Sequence, residues 1–270
     1  MKRTAAFTRI ELLLVIAVTA LLGVLSVAAF KFIEMEGNQA TGVHNCKQII
    51  LALQQFAKDH GHQYPDSVTN KFTGGTSPTS NDAFRFLIQE QIVKDEHIFG
   101  CPDGFKPDGN IGAAPRYSKA LEPDENHWAL TAGQTDTGVG SMPLVFENPV
   151  SNSWAPYWNA DVCARSGLGR VWPGALIIVG RNDGSVGMEK MSGEHGLVSP
   201  KPLIDGLDIF TQASSGQPQR VLNITLPSVY RGCPIGPITP AFRPEMPGVP
   251  VRVPSLGQPG GLPPSPLGNP

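Results

Sequence analysis

Glu11 is the residue whose chemistry is hardest to place in this chain. It stands at the head of LLLVIAVTALLGVLSVAAF, Leu12 to Phe30, 19 residues without a charge. That is long enough to cross a bilayer as a helix. A carboxylate on such a helix costs on the order of a few kcal/mol unless it lies near the interface or finds a partner. Lys2, Arg3 and Arg9 precede the run, so the positive-inside rule puts the N-terminus in the cytoplasm and the rest of the chain outside. A cleavable secretory signal is the plainer alternative. Ser26-Val27-Ala28 offers it a small-x-small site, but such a signal gains nothing from Glu11.

Other residues with chemical potential are scattered. His60-x-His62 beside Asp59 is the tightest histidine cluster; it lacks an indicated third metal ligand and falls at a helix end, where His also meets the carbonyl dipole. Asp103, Asp108 and Asp183 each precede a glycine. Carboxylates of this kind suit Ca²⁺, although Asp-Gly also simply makes turns. Cys101, next to Pro102, has no base beside it in sequence, and no GxSxG, P-loop or HExxH occurs. The sequence therefore reads as a non-enzyme. Cys46, Cys101, Cys163 and Cys233 show no zinc spacing; outside a membrane they could pair in three ways, and Cys46 could equally be a buried thiol. Trp128, Trp154, Trp158 and Trp172 could face a glycan, though their irregular spacing suits core packing better.

Composition narrows the function classes. Net charge is −2, from 21 Lys and Arg against 23 Asp and Glu, with no basic stripe, so nucleic acid is not expected as a partner. Gly and Pro concentrate at the C-terminus: residues 232–270 hold 12 Pro and 7 Gly, too little apolar surface to offset ordering. This segment is read as a disordered or extended tail.

The elements follow from periodicity. Val43, Cys46, Ile50, Leu53 and Ala57, widened by Ile49 and Phe56, predict an amphipathic helix continuing the apolar one over 31–64. Lys47, Gln48, Gln54, Gln55 and Lys58 fall mostly on its other side. Gly37 and Gly42 predict a bend, and Gly61 and Pro65 a stop. Thr79-x-x-Asp82 predicts a second helix start. Strands are expected at 127–131, 144–147, 175–180, 185–189 and within 221–226. Arg181-Asn182-Asp183-Gly184 should turn a hairpin. Strands and helices do not alternate, so the soluble part, 65–231, should be α+β with an antiparallel sheet.

Ala6-Phe7-Thr8-x-x-Glu11-Leu12-Leu13 resembles the prepilin processing motif of type IV pilins and type II secretion pseudopilins. The resemblance implies a leader of residues 1–6, cut by a prepilin peptidase at Ala6–Phe7, and N-methylation of Phe7. The family's usual residue before the cut is Gly; here it is Ala6. The resemblance also implies a transmembrane helix over 7–30 in the inner membrane and a periplasmic or extracellular domain of pilin-like fold. Assembly with other subunits would then pair Glu11 with the Phe7 amine of a neighbour. Major pseudopilins hold calcium in a loop, which bears on Asp103, Asp108 and Asp183. Three further stretches are similar to a large bacterial prepilin-like family: Asn45-Cys46-Lys47-Gln48-Ile49, Phe99-Gly100-Cys101-Pro102, and Ala175 to Val186. The implied function is a structural subunit of a pilus or secretion filament. A membrane-anchored or secreted binding domain, using the tryptophan-containing region 127–172 on a glycan or protein, is the alternative.

Overall fold

The computed structural model describes residues 8–161, 167–203 and 205–226. One helix, α1 (Arg9–Asp59), runs unbroken through 51 residues. The expected bend at Gly37 and Gly42 does not interrupt it. Gly42 is instead a contact point: a Cβ there would meet Ile178 Cδ1 at 2.6 Å, while one on Gly37 would meet nothing. The helix ends at Asp59, earlier than the predicted 64, because Gly61 and His62 turn to positive φ (63° and 67°).

The two halves of α1 differ in surroundings. From Ile10 to Ile33, fifteen large apolar side chains stand exposed. From Gly42 onward the predicted stripe is buried, with Cys46, Ile49, Ile50, Leu53, Phe56 and Ala57 all in the core. Helix α2 (Ser80–Gln89) begins where the sequence places it, Thr79 accepting from the Asp82 N–H, and buries Phe84, Phe86 and Leu87 in the same core.

Beneath α1 lies an antiparallel sheet of β1 (Trp128–Thr131), β2 (Pro143–Glu147), β4 (Leu176–Arg181), β5 (Val186–Lys190) and β7 (Val221–Leu222), in the order β5-β4-β2-β1-β7. These match the five predicted strands within a few residues. The hairpin between β4 and β5 closes at Gly184, whose φ of +84° and N–H to the Arg181 carbonyl (2.9 Å) make the turn. Lys47 and Gln54 do not simply face solvent: Lys47 Nζ donates to the Gly184 carbonyl and Gln54 Nε2 to that of Asn182 (3.0 Å), holding the hairpin under the helix.

Period-two alternation in β4 buries both faces of the sheet. Ile178 faces α1, whereas Ile177 and Val179 enter a second core with Phe146, Trp158 and Phe210. That core is capped by elements not predicted from sequence: the pair β3 (Trp158–Asn159) and β6 (Leu197–Val198), and the short helix α3 (Ile209–Ala213). The result is an α+β fold with a long N-terminal helix on a small antiparallel sheet.

Candidate functional site

The first turn of α1 is built by two side chains. Thr8 is extended (φ −75°, ψ 152°) and its hydroxyl accepts the Glu11 N–H at 3.2 Å. In return Glu11 Oε2 accepts the Thr8 N–H at 2.8 Å and the Thr8 hydroxyl at 2.9 Å. This reciprocal capping box satisfies donors that a helix start otherwise leaves unpaired. So Glu11 has a partner within its own chain. Ala6 and Phe7 lie outside the described residues, as do the leader and the 232–270 tail.

The surface behind this turn is apolar. An 18-residue window of α1 has mean hydropathy 2.7, and none of it is buried by the rest of the protein. By length and composition, α1 is able to cross a membrane. Fully exposing a Val, Leu, Ile or Phe side chain costs about 1.5–3 kcal/mol relative to burial. Fifteen of them would exceed the roughly 5–15 kcal/mol net stability of a typical domain. Water alone is a poor home for this half of α1.

The three calcium candidates are not gathered at one place. Asp103 Oδ1 accepts from Asn38 of α1 (3.2 Å). Asp183 belongs to the hairpin turn, where its Oδ1 accepts the Ser185 N–H (2.8 Å) and hydrogen bonds from Ser185 hold its carboxyl below the usual range. Asp108 stands with Glu96 and Glu125, acids the sequence reading missed, their ligand oxygens within 4.8 Å of one another. Glu96 is buried and both its oxygens are taken, by the N–H groups of Gly109 and Leu121 (2.9 Å each). Burial, joined by the Glu96 and Asp108 charges, pushes Glu125 up to about 7. Among the described residues no Lys, Arg or His lies within 4.0 Å of these three carboxylates. Of the three candidates, only Asp108 has other acids among the described residues close enough to share a cation.

A second group, Cys101, His127 and Glu147, also has ligand atoms within 4.8 Å of one another. Its internal hydrogen bonds make it a structural hub. Glu147 Oε1 accepts from His127 Nε2 (3.0 Å), Trp172 Nε1 (3.0 Å) and Arg170 Nη2 (3.2 Å), and Oε2 accepts the Ile178 N–H (2.9 Å). The Asn148 amide faces His127 Nδ1 at 3.3 Å, which leaves Nε2 as the protonated nitrogen. Burial keeps His127 below its ordinary value, hence neutral, and Arg170 is the counter-charge, stacked 4.0 Å over Trp172. A metal here would face that guanidinium. Cys101 receives Arg170 Nη2 at 3.2 Å, but burial pushes its thiol up to about 12, so it is no thiolate nucleophile. Cys46 is likewise buried and raised. Cys163 and Cys233 lie outside the described residues.

The remaining sequence candidates resolve into packing. His60 stacks on Phe56 with centroids 3.8 Å apart, and His62 Nδ1 meets Asp136 at 2.8 Å; neither joins a ligand group among the described residues. Trp128, Trp158 and Trp172 are at most 1% exposed, so a glycan could not stack on them. Trp154 is half-buried, bonded to Ser214 Oγ (3.1 Å) and set edge-on to Phe210. Comparison with protein-family models, curated proteins and solved structures finds nothing that matches this chain.

Proposed function

We propose that this chain is a prepilin-like structural subunit, anchored in the inner membrane by the first half of α1 and assembled into a pilus or secretion-type filament. The observation that carries the reading is the division of one unbroken helix. Its first half presents fifteen exposed apolar side chains led by Glu11, and its second half is the spine of the α+β domain. Such a helix has two apolar environments open to it, a lipid bilayer and a bundle of like helices, and a filament subunit passes from one to the other.

In this reading the N-terminus is cytoplasmic and the domain lies in the periplasm or outside the cell. A prepilin peptidase cuts at Ala6–Phe7, and the new Phe7 amine is methylated. In the filament the Phe7 amine of one subunit faces Glu11 of the next, removing the cost of a lone charge in an apolar bundle and setting axial register. The subunit's role is mechanical, without an enzymatic step of its own. The rival binding reading is weakened because three of the four indoles it would use are buried.

Filament incorporation of Glu11→Ala tests the proposal. The variant should keep a folded domain, since among the described residues the Glu11 side chain hydrogen-bonds only to Thr8, yet fail to assemble. Assembly at the level of the unaltered chain would contradict it.

A further inference from the structure

A cleft of about 270 Å³ lies between the loop that follows α1 and helix α2. That is just under the roughly 300–1,000 Å³ of drug-sized ligand sites, and suits one small ring. Much of its lining is buried and polar. Asn70 Nδ2 donates to Gln89 Oε1 (2.7 Å), and Gln89 Nε2 donates to the Arg116 carbonyl (2.7 Å). Asn70 Oδ1 accepts the N–H groups of Phe72 (2.8 Å) and Thr73 (3.3 Å). The buried Ser77 hydroxyl reaches the Pro65 carbonyl only at 3.4 Å. Thr73 and Thr76 bring exposed hydroxyls to the cleft, and Pro78 brings an apolar wall.

Two charged residues line the cleft, and they cancel. Asp82 Oδ1 accepts from Arg85 Nη1 at 3.2 Å. Arg85 also donates from Nε to the Ala120 carbonyl (2.7 Å) and from Nη2 to that of Leu121 (3.3 Å). With three of its five N–H groups engaged among the described residues, two remain for a ligand. An anion approaching Arg85 meets the Asp82 carboxylate, and a cation approaching Asp82 meets the guanidinium. The pair instead suits two adjacent hydroxyls, one donating to the carboxylate while its neighbour accepts from the guanidinium. In solution a polar cleft holds water, and a ligand displaces that water without loss only by reproducing its hydrogen bonds. A small molecule hydroxylated around its whole edge meets that condition.

We propose that this cleft binds one ring of a neutral sugar. Asp82 and Arg85 take a pair of adjacent hydroxyls, Ser77 and the two threonines take others, and Pro78 lies against the C–H edge of the ring. None of the four tryptophans lines the cleft, so it is separate from the indole surface that the sequence suggests. The site uses neither filament assembly nor leader processing; it goes beyond the proposed function and does not rest on it. Its walls are set in advance. The Asn70 N–H donates to the Gly75 carbonyl (2.8 Å) and the Gly74 N–H to the Asn70 carbonyl (2.7 Å), which fixes the loop. The Thr79 hydroxyl, donating to Asp82 Oδ2 at 2.6 Å, holds the carboxylate. Such preorganisation lowers the ordering cost of binding.

The test is calorimetric titration of the full chain, held in a detergent without a sugar headgroup, with glucose, galactose and N-acetylglucosamine, and with acetate as a charged comparator. At least one sugar should bind saturably, and acetate should not. Methyl glycosides of the same sugars separate two sources of the ring: a glycoside that binds equally marks the end of a glycan, and a preference for the free sugar marks a free sugar, either of which supports the site. Gly75→Leu, whose added Cβ meets open space, should keep the fold and narrow the cleft, weakening binding about ten-fold or more. Asp82→Asn keeps the shape but removes the charge, and should weaken binding about ten-fold, the equivalent of one hydrogen bond to an ionised group. Should that variant not fold, Thr76→Val at its exposed position replaces it, with a loss of about five-fold for one neutral hydrogen bond. No saturable binding of any of the three sugars overturns the proposal. So does binding that these variants leave unchanged, which would seat the sugar elsewhere. Acetate bound as tightly as the best sugar also overturns it, because Arg85 would then be an anion site.

Discussion

A Cβ on Gly42 would stand 2.6 Å from Ile178 Cδ1, so the helix and the central strand β4 approach as closely as a glycine allows. Gly180 repeats the arrangement from the other side, where an added Cβ would meet Ile50 Cδ1 at 2.3 Å and Cys46 Sγ at 2.8 Å. Each element thus offers a glycine to a branched side chain of the other, and α1 seats on the sheet through these two sites.

Gly42→Ala should destabilise the domain by about 1–3 kcal/mol through overpacking. Adding Ile178→Val, which removes the opposing methyl, should recover part of that. Gly37→Ala, with open space around it, should be neutral or gain up to roughly 1 kcal/mol of helix propensity. Urea unfolding of the full chain in detergent compares the three; equal effects at Gly42 and Gly37 would contradict the packing.

Glu147→Gln leaves the buried Arg170 without its counter-charge, and should cost about 3–5 kcal/mol in the same measurement. With Arg170→Met in the same chain, the loss should be smaller than the sum of the single losses, because the two groups answer one another. Simple additivity would mean they do not.

Glu125 and His127 shift stability in opposite directions below neutrality. Glu125 is raised from 4.5 to about 7, chiefly by burial, so the native state holds a proton that the unfolded chain releases. Its contribution is full below about 4.5 and is lost as pH rises through about 7. His127 is lowered from 6.5 by burial, so its contribution is present above 6.5 and is lost as pH falls. Glu125→Gln should remove the loss of melting temperature that Glu125 causes as pH rises from about 4.5 to about 7, and leave the His127 loss toward acid in place. An unchanged difference between pH 4.5 and about 7 would remove Glu125 as its cause.

Calcium has its best footing at Asp108, beside Glu96 and Glu125. Calcium against chelator should raise the melting temperature of the unaltered chain and of Asp183→Asn, whose acid is already engaged by Ser185. Asp108→Asn should abolish the rise. Equal melting of the unaltered chain with and without calcium removes the metal from the account.

What the sequence disclosed was local. The stripe from Cys46 to Ala57, the Thr79 cap and the Asn182-Asp183-Gly184 turn each announce themselves within a few residues, because their physics is short-range. The Glu147 hub was silent. Its partners come from positions 127, 170, 172 and 178, and only the sheet brings them together. The outer layer was missed for a similar reason: β3 and β6 are two residues each, too short to show a period, and Trp158 became core only through distant Phe146 and Phe210. Lys47 and Gln54 read as solvent-facing because nothing near them in sequence reveals the hairpin they hold. At the N-terminus the motif contains both Thr8 and Glu11, but only the structure shows the three hydrogen bonds between them.

The central claim, a processed prepilin-like subunit, is tested most directly by the N-terminal sequence and intact mass of the mature protein. The account predicts a chain that begins at N-methylated Phe7. A chain that begins at Ala29, as an ordinary secretory signal would leave it, or one that keeps residues 1–6, would contradict it.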